Sequence, residues 1–312
     1  MTDWVVIDIR FALYLCLALQ FGLPLFRLHA LSTEDRAQLS QKGTATTTLV
    51  LAISSIALVI SGLWVNCARM ADMDVSSLDW RTVETIVMQT SIGVAWQVQL
   101  AALAISLPAT LWWHRSNSVR PALLVGCAAG VALGSIAWTG HGAAGDGLVG
   151  AGHLIADIAH LLAVGVWLGA LAGFVALLFA AGSAYSSDQL SIAAAALRRF
   201  AFTGSIAVAA IVLTGLVNSV LLFDITRPGL IISSPYGELL MVKLGLFTAM
   251  LALAATNRFR LTPALTQAIG TGETSAALAA LRRSLAVESG TAIGILALVA
   301  WLGTLAPPGS MA

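Results

Sequence analysis

Thr139–Phe174 reads TGHGAAGDGLVGAGHLIADIAHLLAVGVWLGALAGF and runs on into VALLFAA, so that residues 152–181 form one apolar stretch broken only by His153, Asp157 and His160. A helix needs about 20 mostly apolar residues to cross ~30 Å of hydrocarbon, and this stretch exceeds that. Seven other segments qualify: 5–26, 44–66, 93–113, 121–140, 200–223, 237–256 and 286–306. The pattern predicts an all-α integral membrane protein, a bundle of about eight transmembrane helices.

Composition agrees. Of the 312 residues 58% are hydrophobic and 10% charged, against roughly 45–50% and 25% in soluble domains. A net charge of +1 offers nothing to nucleic acid, and the lipid bilayer is the first partner implied. Cys16, Cys67 and Cys127 are too few and too scattered for a disulfide framework. The opening MTDWVVIDIR lacks the basic leader and small-residue cleavage site of a signal peptide, so its apolar stretch is expected to stay as the first span. No repeat, low-complexity tract or linker interrupts the chain, and residues 1–312 are expected to form a single polytopic membrane domain.

Basic residues orient the bundle, because cytoplasmic loops carry the excess of Lys and Arg. Arg27, Arg36, Lys42, Arg115, Arg120, Arg198, Arg199, Arg258, Arg260, Arg282 and Arg283 fall in the loops of one side; only Arg69, Arg81 and Arg227 fall on the other. The first side is therefore expected in the cytoplasm and both termini in the periplasm. Asp72, Asp74, Asp79, Glu84, Asp146 and Asp224 make the outer side acidic. Two weakly amphipathic stretches, 81–92 outside and 274–285 inside, read either as interfacial or as ordinary loop helices.

The opening stretch also holds the candidate chemistry. At 100° per residue Asp157 lies ~40° round from His153 and His160 ~20° the other way, so the three share one helix face. His141 ends the preceding span on the same side. Ionisable groups at membrane depth are costly and face a bundle interior or a wet cavity. Imidazole is the commonest protein metal ligand, and a carboxylate beside it orients the ring. His141, His153, Asp157 and His160 are therefore candidate metal ligands; the competing reading is a hydrogen-bond network gluing helices together. Gly165, Gly169 and Gly173 lie largely on the opposite face, at the small-xxx-small spacing that lets helices approach closely. Cys67, Met70 and Met73 form a weaker, auxiliary group: thiolate and thioether suit Cu(I), but both residue types are also ordinary apolar fillers. The remaining intramembrane polar groups, Gln20, Gln97, Gln99, Asn218, Glu238, Lys243 and Glu288, read as structurally satisfied, with Lys243 reaching an acidic group on another helix or snorkelling. Nucleotide-binding, phosphorylation and haem-attachment motifs are absent, and no catalytic residues suggest themselves.

Three stretches resemble the copper resistance protein D (CopD) family of bacterial inner-membrane proteins: Gly140-His141 with the His153…Asp157…His160…Trp167-Leu168-Gly169 helix; Thr214-Gly215-Leu216-Val217-Asn218-Ser219; and Ser234-Pro235-Tyr236-Gly237-Glu238-Leu239-Leu240-Met241-Val242-Lys243, continuing to Asn257-Arg258. The likeness covers about residues 135–305, while 1–134 (spans 1–4) agree mainly in hydropathy. It implies a non-enzymatic copper protein of the inner membrane that takes up copper ion, Cu(I) or Cu(II), from the periplasmic side with a periplasmic partner of the CopC type. The alternative is an electron-transfer protein or metal reductase holding one haem b through His141, His153 and His160, since facing helices of bundles can ligate haem.

Overall fold

Eight helices long and apolar enough to cross a bilayer follow one another in the computed structural model, which describes residues 4–116, 118–139, 147–179, 186–222 and 234–305. In order these are α1 (Trp4–Ala30), α3 (Lys42–Met70), α5 (Ser91–Arg115), α6 (Val119–Gly134, prolonged by a 3-10 turn Ser135–Thr139), α7 (Gly147–Phe179), α8 (Ser187–Leu222), α9 (Pro235–Thr256) and α11 (Ser275–Leu302). Between them lie the short α2 (Thr33–Gln38) and α4 (Trp80–Gln89), and a π-helical segment, Asn257–Leu261, that joins α9 to α10 (Thr262–Thr271). No strand occurs among the described residues.

Apolar surface alone does not drive helices together in lipid, so close packing and interhelical hydrogen bonds must. The closest approach is between α1 and α7. A Cβ on Gly22 would stand 2.1 Å from the Gly165 carbonyl oxygen, and one on Gly169 would stand 2.2 Å from the Gly22 carbonyl carbon. A Cβ on Gly173 would meet the Phe26 ring at 2.3 Å. The glycine face of the fifth span is thus its packing face, as the spacing predicts. On its other side α1 faces α3 and α5, where Gln20 Nε2 donates to Ser106 Oγ at 2.8 Å and Ser55 Oγ donates to Gln20 Oε1 at 3.4 Å, all buried.

Trp4 and Trp301 meet at a tilt with ring centroids 5.8 Å apart, so α1 starts where α11 finishes. We call this the tryptophan end. The opposite, arginine end is tied by side chains: Arg27 donates to the Leu39 carbonyl at 3.0 Å, and Arg199 pairs with Asp35. Asp35 also completes a capping box with Ser32. Burial opposes its charged form, but the hydrogen bonds from Ser32 and Arg199 outweigh that and hold its carboxyl below the usual range.

Packing is uneven. The apolar windows of α6 and α7 are 61% and 56% buried, those of α8 and the α9 span 17% and 6%. α8 lies chiefly along α7 and α9 along α11, with their remaining faces turned outward to the lipid. Stretch 81–92 forms most of α4, whose N-cap Asp79 accepts from the Thr82 amide at 2.9 Å. Stretch 274–285, by contrast, is continuous with the last span as one helix, because Leu278, Leu281 and Leu285 extend its buried stripe.

Candidate functional site

α7 presents its polar face near the tryptophan end. One turn separates His153 from Asp157, and His153 Nε2 lies 3.9 Å from Asp157 Oδ2; their side chains are only 12% and 24% exposed. The other carboxylate oxygen, Oδ1, accepts a hydrogen bond from Asn218 Nδ2 of α8. One turn further along α7, His160 Nδ1 meets Thr214 Oγ1, also of α8, at 2.9 Å.

The Thr214 contact fixes the imidazole. A threonine hydroxyl has one hydrogen, and here it goes back to the helix, to the Ala210 carbonyl. With that hydrogen so used, Thr214 would accept from an imidazole protonated on Nδ1, the tautomer whose Nε2 carries the lone pair. This is the tautomer that a metal takes, fixed by the bond at the other nitrogen. The ring lies against α8 at Gly215, where an added Cβ would make an ordinary 3.7 Å contact with His160 Cε1.

α9, packed chiefly along α11, brings two further side chains into electrostatic range. Its first turn is capped by Ser234, whose hydroxyl accepts from the Gly237 amide at 3.0 Å, and Pro235 opens the helix. The Lys243 ammonium acts electrostatically on both Asp157 and His160, and the Tyr236 phenol stands near enough to Asp157 to feel its charge. Lys243 thus lies within electrostatic range of an acidic group on another helix. His153, Asp157 and His160 of the first stretch meet Thr214 and Asn218 of the second, with Tyr236 and Lys243 of the third in electrostatic range, while Trp167 and Asn257 of the same stretches lie about Glu288. Asn218 Oδ1 is buried without a hydrogen-bond partner among the described residues.

His141 lies outside the described residues. Among the described residues no three His, Cys, Asp or Glu side chains are grouped closely enough to hold a metal ion by themselves. Cys67 is fully buried in the cluster packed around α3, α5 and α6, whereas Met70 and Met73 are 49% and 38% exposed. The thiol and the two thioethers therefore occupy different surroundings.

Comparison with known proteins extends the resemblance over the whole chain. Residues 1–153 match the family model for the copper resistance protein D-like N-terminal domain, and residues 194–302 match that for copper resistance protein D. Copper resistance protein D of Pseudomonas syringae pv. tomato is 36% identical over 319 residues, covering 98% of each chain. The copper transport protein CutJ of Bacillus subtilis is 33% identical over 39% of this chain and 21% of its own length. Inner membrane protein YebZ of Escherichia coli is 24% identical over 58% of this chain and 59% of its own. No solved structure matches. The likeness reaches well into the first four spans, which motifs alone did not cover. Copper is named by both family models and two of these relatives, and haem by none. A multi-pass membrane protein with this span order and this degree of identity belongs to the copper resistance protein D family.

Proposed function

We propose that this protein binds copper at the tryptophan end of the bundle and mediates its uptake across the bacterial inner membrane, with that end facing the periplasm. The observation that carries the reading is the polar contact of α7 with α8 in electrostatic range of Lys243: His160 is held by Thr214 and Asp157 by Asn218, joining two of the family's own sequence stretches. His153, Asp157 and His160 are the ligands, with His141 a fourth from the adjoining segment. Thr214 and Asn218 orient them. Lys243 neutralises Asp157 until the cation arrives, since a carboxylate in a membrane interior needs a counter-charge. Imidazole with carboxylate fits copper ions as cargo. Cys67, Met70 and Met73 serve capture only at low supply. The acidic residues around α4 (Asp72, Asp74, Asp79 and Glu84) form the face that receives copper from a small periplasmic copper-binding partner of the CopC type. The basic loops anchor the opposite side in the cytoplasm.

The test is copper accumulation in right-side-out membrane vesicles. Vesicles carrying the protein are expected to accumulate copper faster than vesicles without it, and His153→Ala with His160→Ala should abolish the difference. Equal accumulation with and without the protein would sink the uptake reading, and its reversal in inside-out vesicles would assign export instead.

A further inference from the structure

Seven residues beyond His160 on the same face of α7 stands Trp167, about 10 Å nearer the arginine end at ~1.5 Å per residue. There it lies beside a second polar group that copper binding does not use. Glu288 is 3% exposed, near the middle of α11, and Asn257, at the start of the π-helical segment, donates through Nδ2 to Glu288 Oε2 at 2.7 Å. The Trp167 indole N–H is also near this carboxylate, outside hydrogen-bond geometry. Among the described residues no Lys, Arg or His comes within 4.0 Å of Glu288. The charged groups of the surrounding helices are engaged elsewhere: Arg27 with the Leu39 carbonyl, Arg198 with Thr266, Arg258 with Ser205 and Arg282 with the Leu178 carbonyl. His29 is packed against Phe26 and Phe200, and Lys243 faces the other site. None of them exerts a charge on Glu288.

A bare carboxylate so placed must take up a cation or a proton. The hydrogen bonding chooses between them. Among the described residues Asn257 Oδ1 is buried without a hydrogen-bond partner, and so is the Ser284 hydroxyl, one turn from Glu288 on the same side of α11. An amide that already donates to one carboxyl oxygen and holds a vacant acceptor is the complement of a carboxylic acid. The acid's O–H fills Asn257 Oδ1 and closes a two-bond ring. A π-helical segment at this position is in keeping with a functional role, since such segments cluster at functional sites.

We propose that Glu288 is a reversible proton-binding site inside the bundle, with Asn257 and Trp167 as its positioning residues. Loading forms one O–H bond on the carboxylate with a proton delivered by hydronium from the arginine end, where Ser284 lies one turn closer to solvent; unloading returns the proton to water. The inference does not depend on copper binding at His160.

The test is infrared difference spectroscopy of the full chain in lipid nanodiscs, titrated between about pH 5 and 9, the range into which burial moves carboxyl groups. We expect a protonated-carboxyl C=O band that titrates, shifts in heavy water, vanishes in Glu288→Gln and persists in Asp157→Asn. Trp167→Phe, which keeps the bulk and removes the N–H, should move the midpoint, as a purely structural tryptophan would not. Should Glu288→Gln fail to fold, Glu288→Asp is read instead, with the band displaced in frequency. A band insensitive to pH, or no band lost in the folded variants, overturns the proposal. So does a carboxylate that responds to sodium in place of potassium at fixed pH, which would mark a metal-cation site.

Discussion

At the scale of single residues, His160 is the most constrained group in the candidate copper site. Its Nδ1 is held at 2.9 Å by Thr214, whose own hydroxyl donates to the Ala210 carbonyl. His160→Ala should therefore remove most bound copper, measured as metal per folded protein, and Asp157→Asn should cost less than either histidine. Thr214→Val keeps the size and loses the acceptor; partners that orient metal-bound histidines are worth roughly 10–100-fold in affinity, so copper binding should weaken by that order with folded yield unchanged. Wild-type stoichiometry in both His153→Ala and His160→Ala would rule the site out. His114→Ala is a suitable silent control, whereas His29→Ala is not. The His29 ring meets Phe26 edge-on and Phe200 at a tilt, both its nitrogens are unpartnered among the described residues, and truncation leaves a cavity of the kind that destabilises by about 2–5 kcal/mol. Helical spacing made the histidine face legible, since His153, Asp157 and His160 are neighbours on one helix. It said nothing of Thr214 and Asn218, whose partners lie 54 and 61 residues away. An intramembrane amide or lysine announces that it has a partner without saying which.

At the scale of elements, the α1–α7 contact is the tightest in the bundle and gives the clearest mutational contrast. At Gly169 a side chain would collide with the Gly22 backbone, which cannot rotate out of the way. Gly169→Val should abolish folded protein in detergent, whereas Gly290→Ala, with nothing within 4 Å of the added methyl, should be tolerated. Similar yields for the two would show that α1 and α7 do not meet as described. The small-xxx-small spacing told which face of the fifth span would pack, because it is a property of one helix. Helix ends were less legible. The apolar run of the sixth span starts near residue 200, yet α8 starts at Ser187, and α11 takes in a stretch that reads as a separate amphipathic piece. In both places the buried stripe, Leu190 to Ala196 and Leu278 to Leu285, continues past the edge of the hydrophobic run. The π-helical turn at Asn257–Leu261 has no signature in composition at all, being a property of backbone hydrogen bonding.

At the scale of the whole molecule, span number and order were legible because each span is local, whereas which side faces the cytoplasm rests on the eleven basic loop residues against three. Reporter fusions after Ala312 and within residues 141–151 should read as periplasmic, and those near Arg282 as cytoplasmic; a cytoplasmic C-terminus would place the copper site on the wrong face. The uneven burial of the spans has a mechanical meaning. At the candidate copper site α7 is clamped in protein, while α8 and the α9 span have 17% and 6% of their apolar windows buried. Sliding or tilting either of them exchanges acyl-chain contacts for other acyl-chain contacts and leaves the core undisturbed, so the solvent that resists the motion is the bilayer itself. Thickness mismatch costs fractions of a kcal/mol per Å, enough to bias so weakly held a pair. Copper loading should therefore vary with acyl-chain length in reconstituted membranes while the melting of the α1–α7 block stays constant, making lipid composition a working part of the site.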